Sequence, residues 1–409
     1  MRYLLRIAAV MALLSVVGCA WFDWVPGIGG DKKKEDTDKP AALVDFAEEA
    51  DVVRLWQASV GKGLGRKHLR LSPAILADRI YAADAYGTVA AFDRFTGRNT
   101  WRTSIGRPDG KSGLKFWDRR DPSFVTGGVG AAGGRILVGT TRGEVIALDA
   151  ADGSTLWRAE ASSEVLARPV GAEDIVVVQT ADGRVAALDG TDGKSLWTFD
   201  TQPPPLTLRG NGVPAMRGGL VYAGFATGKV AAFRAENGQT VWEQRVMLPE
   251  GRSELGRMVD VDGSPLFLRG VLYAVSFQGR LKAFRATDGA MLWEVEMSSF
   301  LDLAEGLGQI YVVSDEDVVS AIEQSDATLM WRQEGLRNRR LTSPLAFGNY
   351  VVVGDADGYL HVLAQSDGRF VARRKVGDGL RSGMMVADNV VYLLTNDGRL
   401  NALEIRRRT

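Results

Sequence analysis

Short apolar runs rich in β-branched residues recur along the chain, separated by Gly- and Asp-rich breaks. Arg79-Ile80-Tyr81-Ala82-Ala83 precedes Thr88-Val89-Ala90-Ala91-Phe92, and Ile175-Val176-Val177-Val178 precedes Arg184-Val185-Ala186-Ala187-Leu188. Runs this short, bounded by turn residues, predict buried strands rather than helices.

The runs sit in a repeat. Gly87, Gly143, Gly183, Gly228 and Gly279 stand 14 residues before Trp101, Trp157, Trp197, Trp242 and Trp293. Between them fall Ala-Phe or Ala-Leu and a second Gly, as in Ala91-Phe92 and Gly97. A sixth copy has Asp317 in the first Gly slot and Trp331 14 residues on. The seventh has Gly358 and Gly368, with Ala372 in the Trp slot, and the eighth reaches Gly398 and Ala402-Leu403. First-Gly anchors are 56, 40, 45, 51, 38, 41 and 40 residues apart. Fixed internal spacing with variable gaps marks a repeat architecture, and units of this length with four short strands predict propeller blades.

Each repeat position has a physical task. The first Gly suits the turn between the second and third strands, where a positive φ is often needed. The Ala lets blades approach, and the next Phe or Leu fills the core between them. The second Gly turns the chain into the outer strand, and the Trp covers the seam between blades. The last copy lacks its Trp strand, while Val52-Val53-Arg54-Leu55-Trp56 is a Trp strand without a copy. The expectation is an all-β, eight-bladed β-propeller with four antiparallel strands per blade. The N-terminal Trp56 strand closes it by pairing with the last blade, which leaves no radial gap. The length of 409 residues, which by itself suggests two or three domains, then belongs to one ring and an N-terminal extension.

Charge and composition mainly exclude. Fifty basic residues balance 50 acidic ones, which argues against nucleic-acid binding as the main task. A single cysteine forbids an intrachain disulfide and any CxxC metal site, and two histidines leave little for a zinc cluster. No cofactor and no metal is expected. His68 lies in a basic segment and His361 alternates with Leu360 and Val362 on a strand; both read as structural or solvated. Asp93, Asp149 and Asp189 fall in register with the repeat and read as turn formers. No Gly-x-Ser-x-Gly is present and no Gly-x-Gly-x-x-Gly follows a strand and opens a helix, so catalysis has little support.

The N-terminus carries the one chemical signal outside the ring. Arg2 and Arg6 make a basic start, and Leu4 to Val17 is apolar apart from Arg6 and Ser15, a run of signal-peptide rather than membrane-spanning length. It ends Val17-Gly18-Cys19, which resembles a bacterial lipobox. Residues 1–18 are read as a lipoprotein signal peptide, with Cys19 as the lipid attachment point. Ala20, where Asp would resemble an inner-membrane retention signal, favours the outer membrane. Residues 19–50 read as a lipidated N-terminus and flexible tether, and 51–409 as the propeller.

The long links between copies are the candidate binding sites. The first holds Lys111 to Asp121 with Trp117. The next two of interest hold Pro203-Pro204-Pro205-Leu206-Thr207-Leu208-Arg209-Gly210, and Leu248 to Ser264 with Glu254, Arg257, Asp260 and Asp262. All three follow an outer strand, so they predict crossovers on one face, the latter two flanking blade four. Leu206 and Leu208 beside Arg209 fit an interface anchor, or equally leucines packed back on the blade. Asp260 and Asp262 alone make a weak cation site. A structural turn, or pairing with a base such as Arg209 or one on a partner, suits them better.

The Ala147 to Trp157 pattern resembles the repeats of pyrroloquinoline-quinone dehydrogenases. Those enzymes use an adjacent cysteine pair and a calcium set, which this chain lacks, so this resemblance implies the fold only. From Cys19 onward the chain resembles the propeller lipoproteins of the outer-membrane β-barrel assembly (BAM) machinery. Leu206–Gly210, Val259–Asp262, Leu341-Thr342-Ser343-Pro344 and Val353–His361 with Asp367–Ala372 carry that resemblance. It implies a non-catalytic scaffold facing the periplasm, anchored in the outer membrane by lipid. Its implied partners are the polypeptide-transport-associated (POTRA) domains of BamA and other BAM subunits, reached through Leu206, Leu208, Arg209, Asp260 and Asp262. Unfolded outer-membrane proteins, added as strands to blade edges, are a looser partner class. The different-class alternatives are a periplasmic quinoprotein-like dehydrogenase and a generic ligand-binding propeller.

Overall fold

The computed structural model describes residues 39–66, 70–106, 123–172, 174–208 and 212–408. The chain divides into two compact units, Met1–Pro40 and Ala41–Thr409. Of the first only residues 39 and 40 are described, and the second is the subject here.

The described residues form eight four-stranded antiparallel sheets. Blades one to seven take their strands in chain order from the innermost outward. Blade one has Ala74–Leu76, Arg79–Ala83, Thr88–Asp93 and Asn99–Ser104. Blade four has Ala215–Arg217, Leu220–Gly224, Lys229–Arg234 and Thr240–Arg245, and the rest follow the same plan. Blade eight is built from both ends of the chain. Met385–Ala387, Val390–Leu394 and Arg399–Arg407 are completed by the N-terminal strand Ala50–Ser59, with Trp56 opposite Ala402. This is the closure that the unmatched Trp strand predicts.

The seams explain the repeat. Each Trp indole reaches into the next blade and donates from Nε1 to a carbonyl beside that blade's last turn. Trp56 bonds Arg94 (2.9 Å), Trp101 bonds Ala150 (3.0 Å), Trp157 bonds Gly190 (2.9 Å) and Trp197 bonds Ala235 (2.7 Å). Trp242 bonds Ala286 (2.9 Å), Trp293 bonds Gln324 (2.9 Å) and Trp331 bonds Gln365 (2.8 Å). The ring lies flat on the second Gly of the receiving blade, except in blade six, where Ala327 stands in that slot under Trp293. A Cβ on Gly97 would come within 2.6 Å of Trp56, and the φ of +71° there also favours glycine. The second Gly therefore seats the neighbouring Trp as well as turning its own chain.

The seam from blade seven to blade eight has no Trp, and topology gives the reason. Blade eight receives its outermost strand from the N-terminus, so no hairpin joins its last two strands and no turn waits for an indole. Ala372 fills the slot and is buried. The seam is covered instead by the chain's own entry. Phe46 stacks on Phe370 at 5.4 Å, Arg373 bonds the Val44 carbonyl (2.9 Å), and the Glu49 amide bonds the Val371 carbonyl (2.8 Å). Ala41–Glu49, placed in the tether by the sequence, thus lies along blade seven as part of the compact unit.

The short innermost strands line a central channel, with a cavity of about 540 Å³ bordered by Val170, Ala215, Leu266 and Leu303. A run of side-chain hydrogen bonds ties blades four to seven together beside it. Ser264 accepts from the Val213 amide (3.0 Å), Asp302 from Ser264 (2.8 Å) and Ser343 from Asp302 (3.1 Å). These bonds join successive blades at their innermost edge, as the tryptophans do farther out.

Candidate functional site

The antiparallel path puts every crossover from an outer strand to the next inner strand on one face, together with the turns between second and third strands. On this face the crossovers before and after blade four meet. The Asp260 carboxylate reaches across and accepts the Leu208 amide at 2.6 Å. Asp260 is fully buried, and its backbone carbonyl takes the Phe277 amide (2.9 Å). Burial pushes its carboxyl upward, against a smaller pull downward from the Leu208 N–H. Its other oxygen, Oδ1, has no hydrogen-bond partner among the described residues.

Asp260 and Asp262 were expected at a partner surface. Asp260 is enclosed, and Asp262 is nearly so at 9% exposure and already engaged in the fold. Asp262 lies with Asp302 near the guanidinium of Arg70, whose Nη1 donates to the Phe300 carbonyl (3.4 Å). Sequence order cannot distinguish an acid on a crossover's surface from one turned beneath it.

The leucines divide. Leu206 is 41% exposed, whereas Leu208 is half-buried. Leu206 borders a groove of about 350 Å³ shared by both crossovers and the blade-four turn between them. Pro204, Pro205 and Pro249 give it apolar walls, and Lys229, Arg245 and Arg257 bring charge to it. The sequence singles out Arg257 on the second crossover, but not Arg245. Arg245 closes an outer strand, and Arg257 lies in a single turn of 3-10 helix, Leu255–Arg257, on the second crossover.

Arg209 lies outside the described residues, as do Cys19, His68 and the Lys111–Asp121 insert with Trp117. Among the described residues no group of three or more His, Cys, Asp or Glu is placed to hold a metal ion.

A second polar centre sits where the chain enters blade seven. Asp355 and His361 are fully buried and Arg339 nearly so. Asp355 Oδ2 accepts from Arg339 Nε (2.8 Å) and contacts His361 Nε2 (2.9 Å). Arg373 Nε donates to His361 Nδ1 (3.2 Å), so the network places the imidazole proton on Nε2. Burial depresses His361 despite the Asp355 carboxylate, keeping it neutral. Burial would raise Asp355, but the His361, Tyr359 and Arg339 donors together hold it low. Arg339 also donates to the Ala41 carbonyl (2.9 Å), so the cluster fastens the N-terminal segment. Asp355 and His361 lie in the Val353–His361 stretch, and Arg339 and Arg373 flank Leu341–Pro344 and Asp367–Ala372. The cluster is a buried lock between blade seven and the N-terminal segment.

An eight-bladed propeller whose blades are locked by a Trp seated on the next blade's glycine belongs to the class of PQQ-like repeat propellers. The family model described as outer membrane protein assembly factor BamB matches residues 103–333 and 315–409. The BamB of Pseudomonas aeruginosa is 42% identical over 401 residues, covering 98% of each chain. That of Escherichia coli is 37% identical over 403 residues, covering 98% of this chain and 99% of its own. The crystal structure of BamB from Moraxella catarrhalis superposes with a TM-score of 0.76 at 29% identity, covering 87% of this chain and all of that one. The chain belongs to the outer membrane protein assembly factor BamB family. The quinohemoprotein alcohol dehydrogenase of Comamonas testosteroni has a TM-score of 0.68 at 14% identity, covering 86% of this chain and 76% of that one. That likeness is one of fold.

Proposed function

We propose that this protein is a non-catalytic component of the outer-membrane β-barrel assembly complex and docks the POTRA domains of BamA through the two crossovers flanking blade four. The observation that carries the reading is the Asp260–Leu208 bond. It fixes two loops, 52 residues apart in sequence, as one platform that turns Leu206 outward over a groove. A preorganised apolar anchor on a rigid scaffold loses little entropy on binding. Asp260 and Asp262 then serve by shaping the platform from beneath, and Leu206, Leu208 and Arg209 by contact.

In this reading residues 1–18 are removed on export and Cys19 carries the lipid that holds the protein at the periplasmic face of the outer membrane. The tether runs from Cys19 to about Pro40. Docking positions the periplasmic domains of BamA, and with them other subunits and incoming barrel strands. A pull-down from detergent-solubilised outer membrane tests the site. Wild-type protein recovers BamA, and Leu208→Ala plus Arg209→Glu loses it; unchanged recovery removes the assignment. A Cys19→Ser variant should leave the membrane fraction when BamA is absent. Turnover in a dye-reduction assay with added quinone and calcium would overturn the non-catalytic reading.

A further inference from the structure

Comparing the blades with one another isolates a charge that the fold does not need. The residue after the first Gly of a repeat stands across the ladder from the end of the outer strand. In blade three this slot is an ion pair, Arg184 with Asp200. In blade five Arg280 stands opposite Glu296, with their charged atoms 3.9 Å apart. In blade four, between them, the slot holds Lys229 opposite Arg245, two cations. Like charges directly opposite in a sheet are destabilising. Lys229 turns to Glu243 (2.6 Å), which leaves Arg245 exposed and without a carboxylate among the described residues. Glu144 opposite Glu160 in blade two is also a like-charged pair, but it is acidic and does not line the groove.

Both members of the blade-four pair line the groove beneath Leu206. Arg257, also exposed and without an ion-pair partner among the described residues, lines it from the second crossover. The groove thus carries three cations against one acid, Glu254, on a chain with no net charge. Its rim is apolar. Leu248 and Leu255, chain neighbours of the lining residues Pro249 and Glu254, are 52% and 62% exposed, beside Leu206 at 41%.

We infer that Arg245 and Arg257 form an acceptor for a carboxylate, and that the groove takes a protein surface presenting an acidic side chain between apolar ones. This rests on the docking reading above and specifies the chemistry of its partner. Exposed leucines supply the contact area, while two uncompensated guanidiniums steer the partner and set its register.

The test is the affinity of the full mature protein for purified BamA periplasmic domains, measured at low and high salt. Arg245→Glu with Arg257→Glu should weaken binding by about tenfold or more and flatten its salt dependence. Arg245→Gln with Arg257→Gln should give an intermediate loss, and serves if the reversed pair unfolds. Arg332→Glu, on the outer strand of blade six, should leave binding unchanged. If wild-type protein binds and the double variants bind equally, with the same salt dependence, the carboxylate acceptor is wrong and the docking reading survives. If wild-type protein does not bind these domains at either salt concentration, the docking reading itself fails, and this inference with it.

Discussion

The Asp260 carboxylate holds the Leu208 amide at 2.6 Å, so a fully buried acid on one crossover sets the backbone of another. Removing that acceptor should loosen the platform without opening the ring, because the seams and the channel-side bonds do not depend on it. Asp260→Ala is expected to cost roughly 1–3 kcal/mol, the range for stranding a buried donor. It should weaken BamA recovery more than its stability loss explains. The pH effect has a definite sign. A carboxyl raised by burial contributes stability that is complete below its ordinary pKa and is lost as pH rises through its folded value. Asp260→Asn should therefore gain stability relative to wild type as pH rises from acid to neutral. Denaturant unfolding across that range reads this out, and parallel curves for the two proteins would refute it.

The departures from the repeat consensus should respond in opposite directions to repair. Ala327 stands in the second Gly slot of blade six at a φ of +65°. Ala327→Gly should stabilise by roughly 1 kcal/mol, since a left-handed conformation costs an Ala about that much. Asp317, in the first Gly slot at +61°, accepts the Arg340 amide (2.6 Å) and the Leu341 amide (2.8 Å). Asp317→Gly relieves strain but strands both donors, and should destabilise by about 1–2 kcal/mol net. Ala372→Trp restores the missing Trp at a buried site where no turn exists to receive it, and overpacking should cost roughly 1–3 kcal/mol. Thermal unfolding of the three variants decides. Stabilisation by Ala372→Trp would contradict the topological account of that slot.

The fold was legible because the repeat states it many times, and the ring closure because Trp56 and Leu403 end complementary fragments. The site was legible only as a location. Loop length and leucines marked the crossovers, but burial is a property of the folded loop, so the residues alone left Asp260 open between a structural turn and a paired acid, and only the fold shows it lying beneath. Arg245 was hidden for another reason. Within its own strand it is an ordinary polar residue, and it stands out only when Lys229 opposite it is compared with Arg280 opposite Glu296. The Ala41–Glu49 segment was missed because it follows a charged, Gly-containing stretch and matches no part of the repeat, while Phe46 on Phe370, the Glu49 amide and the Arg339 and Arg373 donors hold it.

Those donors belong to the His361 cluster, which gives the ring an acid-sensitive fastening. His361 is depressed below its ordinary value of 6.5, mainly by burial, so the folded protein holds fewer protons there than the unfolded chain does. Its contribution to stability is complete above that ordinary value and is lost as pH falls through the folded one. Asp355 is also depressed, below 3.8, so its contribution is lost in a separate, more acidic window. Between pH 7 and about pH 5, where most surface carboxylates have not yet titrated, wild type should therefore lose stability relative to a variant without His361. His361→Gln should be less stable at neutral pH by roughly 1–3 kcal/mol, because a buried partner of Asp355 is rebuilt imperfectly. Its unfolding midpoint should also lack most of that acid-dependent loss. The N-terminal segment should report the same event. Protonated His361 would set a third positive charge beside Arg339 and Arg373, whose side chains hold the Ala41 and Val44 carbonyls. Hydrogen exchange at residues 41–49 should accelerate on acidification in wild type before the blades open, and the His361→Gln variant should show no such step. Equal acid sensitivity in the two proteins would place the weak point elsewhere in the ring.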